Sequence, residues 1–218
     1  MKCKAIIFDM DGTLLDTIED IGSSMNTVLR RMGLPVHDTL TYKTLVGDGM
    51  EILVKRALPE SMRDKDTIKS CLDAMKKEYG LHCLDKTRPF KGIEHLLDAL
   101  VRIDIKMAIL SNKPHDFTVA IKDALLSRWP FDAVLGVKDG IPRKPDPKGA
   151  LQIARLMGVR PSETCFMGDT AVDMKTANNA GMYAVGVLWG FRGIKELKDA
   201  GARLILEKPI DLMSYLKK

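Results

Sequence analysis

Four carboxylates, a hydroxyl and a lysine stand at the ends of short apolar runs in this chain. Ala5–Phe8 runs into Asp9-Met10-Asp11-Gly12-Thr13, and Met107–Leu110 into Ser111-Asn112-Lys113. Thr164–Met167 runs into Gly168-Asp169-Thr170, with Asp173 one helical turn beyond. A further run, Arg143-Lys144-Pro145-Asp146-Pro147, places Lys144 just before a helix. In an open α/β sheet, ligands bind outside the carboxyl ends of the strands, so these groups are predicted to converge at one edge. Carboxylates gathered there repel one another and are costly to bury unpaired. A hard divalent cation relieves that cost. Magnesium takes oxygen ligands, keeps several waters and uses one or two carboxylates plus a phosphate. Ser111, Asn112, the helix N-terminus opening near Pro114 and Lys144 would then hold phosphate oxygens. Gly12 lets the backbone approach closely. Asp169 and Asp173 also suit acidic capping of a helix, and capping by one leaves the other free for a metal.

The elements that must position these groups are legible in the hydrophobic pattern. Ala5–Phe8, Ile105–Leu110, Ala133–Val137, Thr164–Met167, Tyr183–Leu188 and Leu204–Leu206 are continuous apolar runs, as expected of parallel strands buried on both faces. Ile93, Leu96, Leu97, Leu100 and Val101 repeat with helical spacing, as do Phe117, Ala120, Ile121, Ala124 and Leu125. This alternation predicts an α/β fold with a doubly wound, mostly parallel, Rossmann-like sheet. Residues 16–86 break the rhythm. Ile18, Ile21, Met25, Val28, Leu29 and Met32 make one amphipathic helix, and Ile68, Leu72, Met75 and Tyr79 another, with a Val46-Gly47-Asp48-Gly49 turn between them. The expected organisation is a catalytic core of residues 1–15 and 87–218 with an inserted all-helical cap, residues 16–86. Its hinges are expected near Leu15–Thr17 and Lys86–Pro89.

Composition narrows the function. The 218 residues are 45% hydrophobic and 29% charged, ordinary globular usage. No apolar run is long enough to span a bilayer, and the apolar stretch near the N-terminus stops at Phe8, too short for a leader; a cytoplasmic protein with no membrane partner is expected. Cys3, Cys71, Cys83 and Cys165 form no CxxC pair, so neither a zinc site nor a disulfide framework is expected. The net charge of +5 comes without a basic block, which argues against nucleic acid.

In order along the chain, DMDGTLLDT, SNK, KPDP and GDTAVDMKTANNAG resemble the four motifs of the haloacid dehalogenase-like hydrolase superfamily, over nearly the whole sequence. VGDGMEILVKRAL and AGMYAVGVLWGF resemble its phosphoglycolate phosphatase-like branch. The resemblance implies a magnesium-dependent phosphomonoester hydrolase acting on a small phosphorylated metabolite, 2-phosphoglycolate first; a monomer or homodimer is expected. It makes Asp9 the nucleophile that becomes an aspartyl-phosphate, and Asp11 the acid and then the base. Asp9, the Asp11 backbone carbonyl and Asp169 would hold Mg2+, with Asp173 behind them. Ser111, the Asn112 backbone and Lys144 would bind the phosphoryl group, and Thr13 would orient Asp11 or a nearby loop. Asp11 sets the chain apart from the dehalogenase branch, and DMDGT from the DKTGT of the transport ATPases. A pyrophosphatase or a sugar-phosphate mutase would keep the same chemistry, but mutase cap signatures are not found between Thr39 and Leu58. A catalytically retired metabolite-binding module is opposed by the intact Asp9, Asp11, Ser111, Lys144 and Asp169. The chain departs from the pattern at Gly136–Lys144, which lacks a common serine-aspartate, and at Lys91, where a proline is common.

Overall fold

The computed structural model describes residues 3–216. Its main sheet is built from β1 (Ala5–Phe8), β4 (Lys106–Pro114), β5 (Ala133–Val137), β6 (Thr164–Gly168), β7 (Tyr183–Val187) and β8 (Leu204–Leu206). All neighbours are parallel, in the order β5-β4-β1-β6-β7-β8. Helices α5 (Ile93–Arg102), α6 (His115–Leu125), α7 (Lys148–Leu156), α8 (Ala171–Asn179) and α9 (Ile194–Asp199) connect the strands. The α/β, doubly wound reading of the sequence is the observed fold.

Both faces of the sheet are dry, as the unbroken apolar runs require. Ile6, Phe8, Met107 and Ile109 face one buried cluster, whereas Ala5, Ile7, Ala108 and Leu110 face another. Successive strand residues point to opposite faces, so a strand sandwiched between helix layers has no polar position to spare. The winding direction reverses at β1, which has β4 on one side and β6 on the other. Phe8 pairs with Ile109 and Met167. The segments after Phe8 and Gly168 and the irregular last part of β4, past Leu110, therefore come together at the switch point where α/β proteins bind ligands.

Three elements differ from expectation. On α6, Ala120 and Ala124 of the expected stripe are exposed, and Thr118 is buried beside Ile121 instead. β4 continues past Leu110 to Pro114, because its register against β5 slips there and Pro114 comes to pair with Val137. Val101, expected on the apolar stripe of α5, is exposed; the buried side is Ile93, Leu96, Leu97 and Leu100, and position 101 falls at the edge of that arc.

After β1 the chain forms a two-residue strand, β2 (Leu15–Asp16), and later its antiparallel partner β3 (Arg88–Pro89), with Leu15 opposite Pro89. Between them, among the described residues, lie only helices: α1 (Ile18–Arg31), α2 (Thr39–Leu45), α3 (Met50–Ala57), α4 (Lys65–His82) and a short 3-10 turn. The two crossings are clamped by Asp20, whose buried carboxylate accepts from Lys86 N, Thr87 N and Thr87 Oγ1. Met25, Val28 and Leu29 of α1 share a core with Cys71, Met75 and Tyr79 of α4.

Candidate active site

Asp9 is the first residue past β1. Its backbone amide still donates to Met167 O, at 2.9 Å, so the side chain is aimed by the sheet itself. One carboxylate oxygen, Oδ1, accepts from Met10 N (2.7 Å) and pairs with Lys144 Nζ (2.8 Å). Lys144 pairs equally with Asp173 Oδ1, at 2.7 Å, and its side chain is 2% exposed. Asp173 is fully committed: Oδ1 holds Lys144, while Oδ2 accepts from Thr170 N and Thr170 Oγ1 as a capping box for α8. Capping and site-building coincide in this residue.

Asp169 follows β6 and is wholly buried. Its Oδ2 accepts from Phe191 N (2.7 Å), and Thr13 Oγ1 approaches Oδ1 at 3.4 Å. Thr13, expected to orient Asp11 or a nearby loop, thus directs its hydroxyl to Asp169. Two glycines make room for this carboxylate. Gly12 has φ +78°, and a Cβ there would collide with Asp169; a Cβ on Gly190 would collide with Asp169 and with Gly12 O.

Carboxylate oxygens of Asp9, Asp169 and Asp173 lie within 4.8 Å of one another. Burial pushes the Asp9 carboxyl up to about 7; the Lys144 charge opposes the rise, and the neighbouring Asp173 and Asp11 charges add to it. Burial also raises Asp169 well above the usual carboxylate range, with the charges of Asp173 and Asp9 adding to the effect. Burial works against the charged form of Lys144, yet Asp173 and Asp9 outweigh it and hold the ammonium above its ordinary value. One lysine among three buried carboxylates leaves an excess of negative charge that a cation would relieve.

Asp11 lies nearer the opening. Its Oδ1 is 3.0 Å from Lys113 Nζ, which also donates to Tyr79 Oη at 2.6 Å. Ser111 Oγ accepts from Lys113 N (3.2 Å), in the part of β4 where the register slips. Asn112 Oδ1 accepts from Lys144 N (2.8 Å), and Nδ2 donates to Lys144 O and to Gly47 O, both at 3.1 Å. Asp9, Asp11, Ser111 and Asn112 line one cleft of about 550 Å³, part of it open to solvent. Its opposite wall comes from the helical segment: Ile21, Val46, Met50, Leu53, Met75 and Tyr79. Arg192, following β7, reaches across to donate to Thr44 O (3.1 Å) and Val46 O (2.9 Å).

The structure gathers Asp9, Asp11, Ser111, Asn112, Lys144, Asp169 and Asp173 at the predicted edge. Sequence reasoning gave no role to Lys113, Tyr79 or Phe191. Lys113 had a signal, its place directly after Ser111-Asn112. Tyr79 had only helical spacing, and Phe191 contributes through its backbone amide.

A family model for haloacid dehalogenase-like hydrolases matches residues 6–187. The chain belongs to the haloacid dehalogenase-like hydrolases. Within this family it is 32% identical over 194 residues to a phosphoglycolate phosphatase of Thiobacillus denitrificans, covering 88% of this chain and 86% of that protein. It is 30% identical over 217 residues to the N-acetylmuramic acid 6-phosphate phosphatase of Pseudomonas aeruginosa, covering 99% and 96%. A crystal structure from Lactobacillus delbrueckii subsp. bulgaricus, described provisionally as a phosphoglycolate phosphatase, superposes with a TM-score of 0.93 at 32% identity and full coverage of both chains. These haloacid dehalogenase-like relatives match across both the sheet and the helical segment.

Proposed function

We propose that this chain is a magnesium-dependent phosphomonoester hydrolase that works through an aspartyl-phosphate on Asp9, with 2-phosphoglycolate or a similar small anionic phosphate as substrate. The observation that carries the reading is the buried pairing of Asp9 with Lys144, beside Asp11 and against a cleft, in a chain with phosphatase relatives. Residues 16–86 act as the cap and the remainder as the catalytic core.

The donor set fits Mg2+: hard carboxylate oxygens, close together, with one ammonium to offset them. Asp9, Asp169 and the Asp11 backbone carbonyl would hold the ion. Asp173 serves from behind, because Lys144 and Thr170 already engage both its oxygens. Bound there, the cation supplies charge neutralisation for the phosphate oxygens and the attacking carboxylate.

Asp9 attacks phosphorus through its carboxylate, and the ester oxygen leaves. Asp11 gives that oxygen its proton, so an alcohol departs rather than an alkoxide. Ser111 Oγ, the Asn112 backbone amide and the Lys144 ammonium hold the transferring phosphoryl oxygens, whose charge is the main thing to stabilise. Asp11, now a carboxylate, takes a proton from water. The resulting nucleophile attacks phosphorus, releasing phosphate and regenerating Asp9. With the cap against the core, the apolar wall keeps other water away from the phosphorylated Asp9.

The test is a panel of phosphomonoesters containing 2-phosphoglycolate and N-acetylmuramic acid 6-phosphate, assayed with Mg2+ and with a chelator. Magnesium-dependent release of phosphate, fastest from 2-phosphoglycolate, supports the reading. Folded, Mg2+-supplied protein that releases phosphate from no ester overturns it.

A further inference from the structure

Lys113 is the one cation among the described residues that line the cleft. Lys144 is sequestered between Asp9 and Asp173, and Arg143 reaches Glu51 at 3.0 Å. Lys113 Nζ carries three N–H donors. One faces Asp11 Oδ1 and one is given to Tyr79 Oη, which leaves the third. Tyr79 Oη accepts from Lys113, so its own hydrogen is left to donate, and no acceptor for it stands among the described residues. Phe117 braces the phenol edge-on, with ring centroids 5.4 Å apart. Both residues are almost wholly buried, yet both border the cleft. An unspent ammonium donor and an unspent hydroxyl donor thus lie side by side against apolar walls, where an anion would be strongly held.

The position of this pair relative to the chemistry selects the anion. To protonate the leaving oxygen, Asp11 must sit within hydrogen-bond reach of it. Lys113 is 3.0 Å from the same carboxylate. A negative group only two bonds from the ester oxygen would then come within reach of Lys113 and Tyr79. We propose that Lys113 and Tyr79 together form the receptor for a carboxylate on the carbon next to the ester oxygen, so that the preferred substrates are 2-phospho-carboxylic acids. This rests on the phosphomonoesterase reading above and assigns its substrate class to particular side chains. The receptor is shared between segments: Lys113 comes from β4 and Tyr79 from α4 of the cap. It is complete only when the cap sits against the core, held there by Asn112 on Gly47 O and Arg192 on Val46 O.

Binding of two non-hydrolysable phosphonates to the Mg2+-supplied protein, by calorimetry, tests this. One is 3-phosphonopropionate, which carries the carboxylate; the other is propylphosphonate, which lacks it. The wild type is expected to prefer the carboxylate-bearing ligand by roughly tenfold or more, the worth of charge-assisted hydrogen bonds. In Lys113→Met the preference falls to about threefold or less, and Tyr79→Phe, which keeps the ring but not the donor, gives a partial loss. A general disturbance of Asp11 would weaken both ligands together and leave the ratio alone; that result overturns the receptor, as does a wild type that binds both ligands equally. If Lys113→Met does not fold, Tyr79→Phe decides by the same ratio. Hydrolysis is read separately. Turnover of esters without ligand discrimination keeps the reaction and removes the receptor, whereas discrimination without turnover does the reverse.

Discussion

The side chain of Asn112 grips the backbone of Lys144 on both sides: Oδ1 accepts from Lys144 N at 2.8 Å, and Nδ2 donates to Lys144 O at 3.1 Å. The strand end that presents Ser111 and the loop that presents Lys144 are thereby locked to each other. The same Nδ2 reaches Gly47 O in the cap. Asn112→Ala removes these bonds and leaves buried backbone groups without partners. It is expected to cost about 2–4 kcal/mol, lowering the melting temperature by roughly 5–15 °C, and to raise KM for phosphate esters. A variant that melts with the wild type and keeps its KM would show that the grip is dispensable.

Asp9→Asn should fold and lose turnover by roughly 10³-fold or more, because an amide is a poor nucleophile and the reaction has no second route. Steady-state phosphate release, with circular dichroism to show an intact fold, checks this. Activity within tenfold of wild type in a preparation free of contaminating phosphatase removes Asp9 from the nucleophile's role.

Asp11→Asn should divide substrates by leaving group. An alkyl ester needs its oxygen protonated as it departs and should lose roughly 10²–10⁴-fold in the phosphorylation step. An aryl ester with a stable phenolate leaving group should lose far less in that step, though release of phosphate from Asp9 slows for both. Rapid-quench single turnovers separate the two halves. Equal losses of phosphorylation for aryl and alkyl esters would rule out Asp11 as the acid.

How far the sequence foretold this site varies from residue to residue, for physical reasons. Asp9, Ser111 and Asp169 were readable because a strand dry on both faces must be a continuous apolar run, and the first polar residue after it marks the carboxyl edge. Lys144 was readable only by its place in the order of motifs; nothing local distinguishes it from a solvated lysine, and its burial is produced by Asp9 and Asp173. The Lys113–Tyr79 contact joins residues 34 positions apart. Tyr79 keeps the helical period of the apolar face of α4, and periodicity does not say which buried position meets a cation. The hydroxyl of Thr13 reaches Asp169 because Gly12, at positive φ, lets the loop fold over that carboxylate.

Metal and protons should compete at the carboxylate cluster. In the metal-free protein Asp9 is raised to about 7 and Asp169 well above its usual range. Groups raised in the fold contribute stability that is whole below the unfolded carboxylate values and is lost as pH rises through the folded ones. Metal-free protein should therefore lose the Asp9 part of this contribution between about pH 4 and 7, and Mg2+ should restore stability most where the carboxylates are ionised. The expected result is a larger rise in melting temperature on adding Mg2+ at about pH 8 than at about pH 5.5. An equal rise at both would mean that the ion does not displace these protons.

The cleft has two walls of different character, and they should fail differently. In the proposed reaction the core wall would hold the phosphoryl group through Ser111 and Lys144, groups that every phosphate ester would meet in the same way. The cap wall of Val46, Met50, Leu53 and Met75 is apolar and would face what lies beyond the phosphorus. Ser111→Ala removes one hydrogen bond to a charged oxygen and should lower kcat/KM by roughly tenfold or more for all substrates together. Met50→Ala or Leu53→Ala enlarges the space offered to the leaving group with Ser111 and Lys144 untouched. Such variants should shift preference towards bulkier esters, changing the ratio of kcat/KM for 2-phosphoglycolate and a sugar phosphate by roughly threefold or more. A small aryl phosphate, served mainly by the core, should respond least. The decisive quantity is the ratio within each variant, which cancels losses of folded protein. Cap-wall variants that leave every ratio at the wild-type value, together with a Ser111→Ala that moves it, would place substrate choice in the core.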